Sequence, residues 1–171
     1  MRDRASLLIF GRRELLGRIL GRPLVPPYGE VERRASEQVR RHLLEEAEEL
    51  YWNEMAWEHI TGDEGLGDFA IPEMAFPGFL AFVRALLLDE TLPQAKEKAQ
   101  PRPDVVEDVL RFLGRRLVEI EDELDSGPAE DRVRLHDELS MTSRLIDRVL
   151  SRFHGLTAAE VERVEAGQVR H

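Results

Sequence analysis

The chain of 171 residues contains no cysteine, so it has no disulfide, no thiolate metal ligand and no cysteine nucleophile. This lack favours a reducing compartment, and we expect a cytoplasmic location. No apolar run approaches the roughly 18 residues that a membrane-spanning helix needs. The apolar stretch 5–10 is followed by Arg12 and Arg13 and has no small-residue cleavage site. We therefore expect neither a membrane span nor a signal peptide.

Lysine is almost missing, since Lys96 and Lys98 are its only examples among 24 basic residues. The preference for arginine favours a GC-rich, bacterial genome rather than a special chemistry. The net charge is −10, although residues 1–29 carry six arginines against Asp3 and Glu14, which is +4 and leaves −14 for the rest. Because such an acidic body repels phosphates, nucleic acid is a disfavoured partner.

Signals for β-strands are missing as well. Leucine outnumbers valine and isoleucine together, threonine is rare, and no stretch alternates apolar with polar residues for long. The apolar residues recur instead with helical spacing, so we predict an all-α fold in one domain, with 1–29 as a basic N-terminal helical arm. The predicted helices cover residues 5–20, 30–61, 77–90, 103–125, 129–154 and 157–166.

Two of these helices carry heptad-like apolar seams, in which the spacing alternates between four and three residues. The seams consist of Val106, Leu110, Leu113, Leu117, Ile120 and Leu124, and of Leu135, Leu139, Thr142, Ile146, Val149 and Phe153. The short connection at 125–128 makes the two helices antiparallel neighbours. We predict a helical bundle built on this antiparallel hairpin, about 103–154, and packed with the long helix, about 30–61.

The region after the hairpin has the clearest local signals. Gly155, directly after His154, predicts a helix end in the left-handed conformation. Thr157 and Glu160 have the spacing of a capping box, in which each side chain bonds the backbone N–H of the other residue. We therefore expect a new helix to begin here.

Two carboxylates fall on the apolar face of the long helix. Glu54 lies within the stripe that includes Tyr51, and Glu58 lies one turn further on. An inward carboxylate is costly unless it is paired or ligand-bound. One interpretation is a carboxylate site assisted by His59. The other, which we expect, is a structural ion pair between Glu54 and an arginine such as Arg84 or Arg116.

A metal centre of the di-iron carboxylate type is excluded by spacing. Such bundles require Glu-x-x-His on two helices, and none of the five histidines has an acidic residue three positions before it. We expect no metal and no cofactor.

Aromatic residues gather at the end of the long helix and in the segment after it. They include Tyr51, Trp52, Trp57, Phe69 and Phe76. Such a cluster can line a small-molecule pocket or form a partner-binding surface. It can also pack back onto the bundle, since monomers seldom expose aromatic clusters.

Arg144, Arg148 and Arg152 form a row along the second hairpin helix, opposite its apolar seam. The row can bind an acidic partner or a phosphate, but more often such rows are solvated faces balanced by neighbouring acids such as Asp147. We expect a solvated face.

No nucleotide-binding or hydrolase motif occurs in the chain. We therefore expect a non-enzymatic cytoplasmic interaction or regulatory module whose partner is another protein or, as a homodimer, a second copy of the chain. The alternative is a ligand-binding or enzymatic helical bundle that uses Glu54, Glu58 and the adjacent aromatic loop.

Overall fold

A computed structural model of the chain describes residues 3–24, 37–61, 75–87 and 103–169, which contain helices and turns but no strand. The helices are α1 (Arg4–Leu20), α2 (Glu37–Thr61), α3 (Pro77–Leu87), α4 (Pro103–Ser126), α5 (Arg132–Phe153) and α6 (Ala158–Val169), and a 3-10 turn (Ala129–Asp131) precedes α5. The predicted all-α bundle is confirmed. The predicted helical residues 30–36 and 88–90 lie outside the described residues.

Helices α4 and α5 form the predicted antiparallel hairpin at the centre of the bundle. Their seam residues are buried, apart from Leu124 and Leu139, which are half-buried. Helix α3 packs against α2, α4 and α5 with an almost continuous apolar face that includes Phe79 and Val83. No helix in the described ranges is long and apolar enough to cross a bilayer.

Helices α1 and α2 lie on different sides of α4. Gly114 meets Ala5 of α1, whereas Phe112 packs edge-on against Tyr51 of α2. Two residues along a helix correspond to a turn of about 200°, so both faces of α4 are covered. Helix α2 runs parallel to α4.

Two contacts between α2 and α4, one near the start of α2 and one further along it, fix the parallel direction of the two helices. Near its start, Arg40 donates to both carboxylate oxygens of Asp108, at 3.0 and 2.9 Å. Further along, the ring of Trp52 lies against the guanidinium of Arg116, 4.9 Å from the ring centroid. Both pairs advance in the same direction along the two helices.

The helix ends after the hairpin follow the predicted local chemistry. Gly155 has φ 64°, and the N–H of Leu156 donates to the carbonyl of Ser151, which closes the end of α5. The backbone N–H of Thr157 donates to the Glu160 carboxylate at 3.2 Å, and the N–H of Glu160 donates to the Thr157 hydroxyl at 3.2 Å. The capping box is confirmed.

The basic arm docks on the acidic body of the same chain. Helix α1 packs against α4 and α6, and Ile9 and Leu16 are buried there. Arginines of α1 and of the turn after it form ion pairs with acids of three later helices, namely Arg4 with Asp122, Arg12 with Asp147, Arg13 with Glu107 and Arg22 with Glu160. At least four of the six arginines of the arm are thus paired with acids of the same chain.

Two glycines provide a matched test of the α1–α4 contact. A Cβ on Gly114 would lie 3.0 Å from the Ala5 carbonyl oxygen, whereas Gly11, on the outer face of α1, has no neighbour within 4 Å. We expect Gly114→Leu to lower the free energy of unfolding by about 1–3 kcal/mol, because α1 must move. Gly11→Ala should raise it by about 0.5–1 kcal/mol, because alanine favours the helix. Urea unfolding measures both, and a stable Gly114→Leu variant would contradict the close approach.

Candidate functional site

Glu54 lies on the face of α2 that meets the start of α3. Its carboxylate accepts the backbone N–H of Phe79 at 2.6 Å and that of Gly78 at 3.3 Å. The first N–H groups of a helix have no partner inside the helix, and they favour a negative charge. Glu54 therefore caps a helix that begins more than twenty residues further along the chain.

The geometry at Gly78 fits this role. A Cβ on Gly78 would lie 2.8 Å from Oε1 of Glu54, so the absence of a side chain lets the carboxylate approach the helix end. Burial raises the pKa of Glu54 above its usual value, and the bonds from Phe79 and Gly78 offset part of that effect. The carboxylate is held in place by backbone donors.

The prediction that Glu54 forms an ion pair with an arginine is wrong. Within the described residues Glu54 forms no ion pair, and Arg116 pairs with Glu138 instead. The inward position of Glu54 has a structural explanation, as expected, but a helix end takes the place of the cation. The helical pattern of α2 shows which face is inward and does not show which neighbour meets it.

A buried polar cluster lies one turn before Glu54, where α2, α4 and α5 meet. Glu138 accepts two hydrogen bonds from Arg116, to Oε2 at 2.6 Å and to Oε1 at 2.8 Å. The hydroxyl of Tyr51 donates to Oε2 of Glu138 at 2.7 Å, and it lies 2.8 Å from the hydroxyl of Thr142. We call Tyr51, Arg116, Glu138 and Thr142 the buried polar cluster.

The charges of this cluster are matched. Glu138 is only 1% exposed, and its carboxylate is neutralised by the guanidinium beside it. The hydrogen bonds to Glu138 raise the pKa of Arg116, which stays protonated at all relevant pH values. Burial, and then the negative charge of Glu138, raise the pKa of Tyr51, so its hydroxyl remains a donor. The cluster is a satisfied structural network and is not open to a ligand.

Trp52 covers the outer side of this cluster. The Arg116 guanidinium lies against its ring, and Tyr51 meets it edge-on with the ring centroids 5.0 Å apart. Even so, 45% of Trp52 is exposed to solvent. Arg116 also reaches Glu119 at 3.2 Å and Glu123 at 3.4 Å, both on the exposed side of α4. Trp52 is thus an exposed aromatic ring in a fixed position, bordered by acids.

The other predicted aromatic and polar residues divide into two groups. Phe76 is buried and stacks on Tyr51 with the centroids 5.7 Å apart, so both belong to the core. The side chains of Trp57, Glu58 and His59 lie outside the described residues, as does the whole of Phe69. Of the predicted set, the structure therefore brings together Tyr51, Trp52, Glu54 and Phe76.

The arginine row of α5 is less open than expected. Arg144, Arg148 and Arg152 are half-buried, and Arg148 donates to Glu165 of α6. The expectation of a solvated face is wrong to that extent, because α6 folds back close enough to pair with the row. At least one of its charges is engaged within the chain.

Glu138 is not among the residues predicted from the sequence, and Arg116 is predicted only as a partner for Glu54. One signal was present, since Thr142 interrupts the apolar seam of α5 and Glu138 lies one turn before it on the same side. A polar residue in a seam requires buried partners. In the described residues, no group of three or more His, Cys, Asp or Glu side chains is placed to hold a metal ion. The absence of a cofactor stays a prediction.

The buried polar cluster makes a testable stability claim. We expect Glu138→Leu to lower the free energy of unfolding by about 3–5 kcal/mol, because Arg116 would keep its charge in a site almost closed to water. Adding Arg116→Met should recover part of this loss. Tyr51→Phe should cost about 1–2 kcal/mol, since it removes one donor. Chemical denaturation measures the free energy of unfolding of each variant. A double variant less stable than Glu138→Leu alone would contradict the ion pair between Arg116 and Glu138.

The raised pKa of Glu54 predicts a pH dependence of stability. A carboxyl with a folded-state pKa above its unfolded value contributes stability at low pH, and this contribution is lost as pH rises through the folded pKa. Glu54→Gln keeps an accepting oxygen and does not ionise. The wild type loses the contribution of Glu54 as pH rises, whereas the Glu54→Gln variant has none to lose. The free energy of unfolding of the variant minus that of the wild type should therefore be larger near pH 7.5 than near pH 4. Glu49→Gln, at an exposed position of α2, is the control. The opposite trend for Glu54→Gln would contradict the assignment.

Comparisons of the chain with protein-family models, with curated proteins and with solved structures find no significant match. The evidence on function therefore lies in the side chains of the chain, above all in the exposed ring of Trp52.

Proposed function

We propose that the protein is a non-enzymatic interaction module of the cytoplasm and that it binds a protein partner through the surface around Trp52. The observation that carries this proposal is the exposed ring of Trp52, held between Tyr51 and Arg116. Tryptophan, tyrosine and arginine are the residue types enriched among energetically dominant interface contacts.

The ring of Trp52 is preorganised for contact with a partner. Binding costs free energy when a mobile side chain must be ordered, and the ring of Trp52 is already packed along one side. Val133 is more exposed, at 75%, but it lies in the first turn of α5 and offers a small surface. A fixed aromatic ring loses little entropy on contact, so it suits a partner-binding anchor.

The alternative function, a ligand-binding or enzymatic bundle centred on Glu54, receives less support. Both oxygens of the Glu54 carboxylate accept backbone N–H groups of α3. A ligand that used this carboxylate would have to displace the cap of a helix. The neighbouring Tyr51 hydroxyl is likewise engaged with Glu138 and Thr142.

Site-specific photocrosslinking in cells that produce the protein tests the proposal. A photoreactive amino acid at position 53, an exposed site directly after Trp52 on α2, should yield a discrete protein adduct. The same group at position 162, an exposed site on α6, is the matched control and should not yield that adduct. Adding Trp52→Leu to the position 53 variant should remove the adduct while the melting temperature changes little.

One outcome would contradict the proposal, and another would identify the partner as a second copy of the chain. An adduct that persists unchanged in the Trp52→Leu variant would show that Trp52 does not anchor the partner. An adduct of twice the chain mass would assign the surface to a homodimer. Mass spectrometry of the crosslinked peptide separates this second case from binding of another protein.

A further inference from the structure

The surroundings of Trp52 indicate what kind of partner segment this surface accepts. On α2, three acids lie one or two turns before Trp52 and on its side of the helix, namely Glu45, Glu48 and Glu49. On α4, Glu119 and Glu123 accept hydrogen bonds from the Arg116 guanidinium that lies against the ring, and 60% and 48% of their side chains are exposed. The exposed ring therefore lies in a strongly negative field.

The ring of Trp52 already binds one cation of the same chain, the guanidinium of Arg116. The guanidinium of Arg116 lies 4.9 Å from the centroid of Trp52, which is within the range of a cation–π contact. The charge of Arg116 is neutralised by Glu138, to which it donates two hydrogen bonds. A second cation on the open part of the ring therefore meets a carboxylate-rich surface and not an isolated positive charge.

Other partner chemistries fit this surface poorly. Phosphates of a nucleic acid or a lipid headgroup would face five carboxylates. Arg116, the cation beside the ring, is already paired with Glu138. A purely apolar segment would remove some of these carboxylates from water without pairing them, which is unfavourable. A segment with planar, permanently charged guanidinium groups can both stack on indole and pair with carboxylates in bidentate fashion.

We propose that the partner of the Trp52 surface contributes an arginine-bearing cationic segment and that one guanidinium stacks on the solvent-exposed part of the Trp52 ring. This inference rests on the proposed function, because it names the chemistry of the partner at the same surface. Glu119 and Glu123 flank that guanidinium from α4, and the carboxylates of α2 attract the other cations of the segment.

A fluorescently labelled hexa-arginine peptide is the probe, and its anisotropy in low-salt buffer reports binding to the full chain. Hexa-citrulline has nearly the same shape without charge and should not bind. Trp52→Leu keeps an apolar cover over Arg116 but lacks the ring, and we expect it to weaken binding by about fivefold or more. Trp52→Phe keeps a smaller ring and should give an intermediate loss.

The charge control separates this surface from general attraction to an acidic protein. Glu45→Gln/Glu49→Gln removes two carboxylates beside Trp52, and Glu14→Gln/Glu162→Gln removes two exposed ones from α1 and α6. Both double variants have the same net charge. The first should weaken peptide binding clearly more than the second. Circular dichroism and melting temperature confirm that each variant is folded.

The inference is overturned if Trp52→Leu binds hexa-arginine as wild type does, or if both double variants lose affinity equally. Failure of this inference and failure of the proposed function are distinguishable. A Trp52-dependent crosslink in cells combined with Trp52-independent peptide binding would retain the interaction module and reject the cationic segment. Trp52-dependent peptide binding without any adduct from position 53 would support the surface chemistry and reject a stable protein partner.

Discussion

Glu138 and Arg116 form an ion pair that is almost completely removed from water, and three helices are placed by the need to satisfy it. A buried charge without partners would cost several kcal/mol, so the guanidinium must stay within hydrogen-bond distance of the carboxylate. This requirement fixes α4 against α5. The Tyr51 hydroxyl adds α2 to the same arrangement, and Trp52 then lies over the outer side of Arg116. The orientation of the exposed ring is thus a consequence of a charge buried beneath it.

Much of the fold could be predicted because it depends on local rules. The seams of α4 and α5 follow from the spacing of leucines such as Leu110 and Leu113, which needs no knowledge of the neighbouring helix. The capping box of Thr157 and Glu160 is confirmed for the same reason, since its donors and acceptors lie within one turn. The position of Gly155 likewise predicts the end of α5, where the residue has φ 64°.

The candidate site was less predictable because its contacts join residues far apart in the chain. Periodicity placed Glu54 on an inward face, but a carboxylate is satisfied equally well by an arginine or by a helix N-terminus. Only the tertiary arrangement selects the backbone N–H groups of Gly78 and Phe79. Likewise, Glu138 lies 22 residues from Arg116 and 87 from Tyr51, distances at which a sequence pattern carries no pairing information.

The docking of α1 has a consequence for the order in which the protein folds. The hairpin contact between Arg116 and Glu138 spans 22 residues, whereas α1 reaches Asp147 and His154 across 135 and 141. Contacts between distant residues form late, because a long loop must first close. On the ribosome, α1 is synthesised before any of these partners, and at typical elongation rates it waits on the order of ten seconds for them. Ile9 contacts α4, which is synthesised before those partners, so α1 gains an apolar docking surface first and its polar contacts with Asp147 and His154 only afterwards.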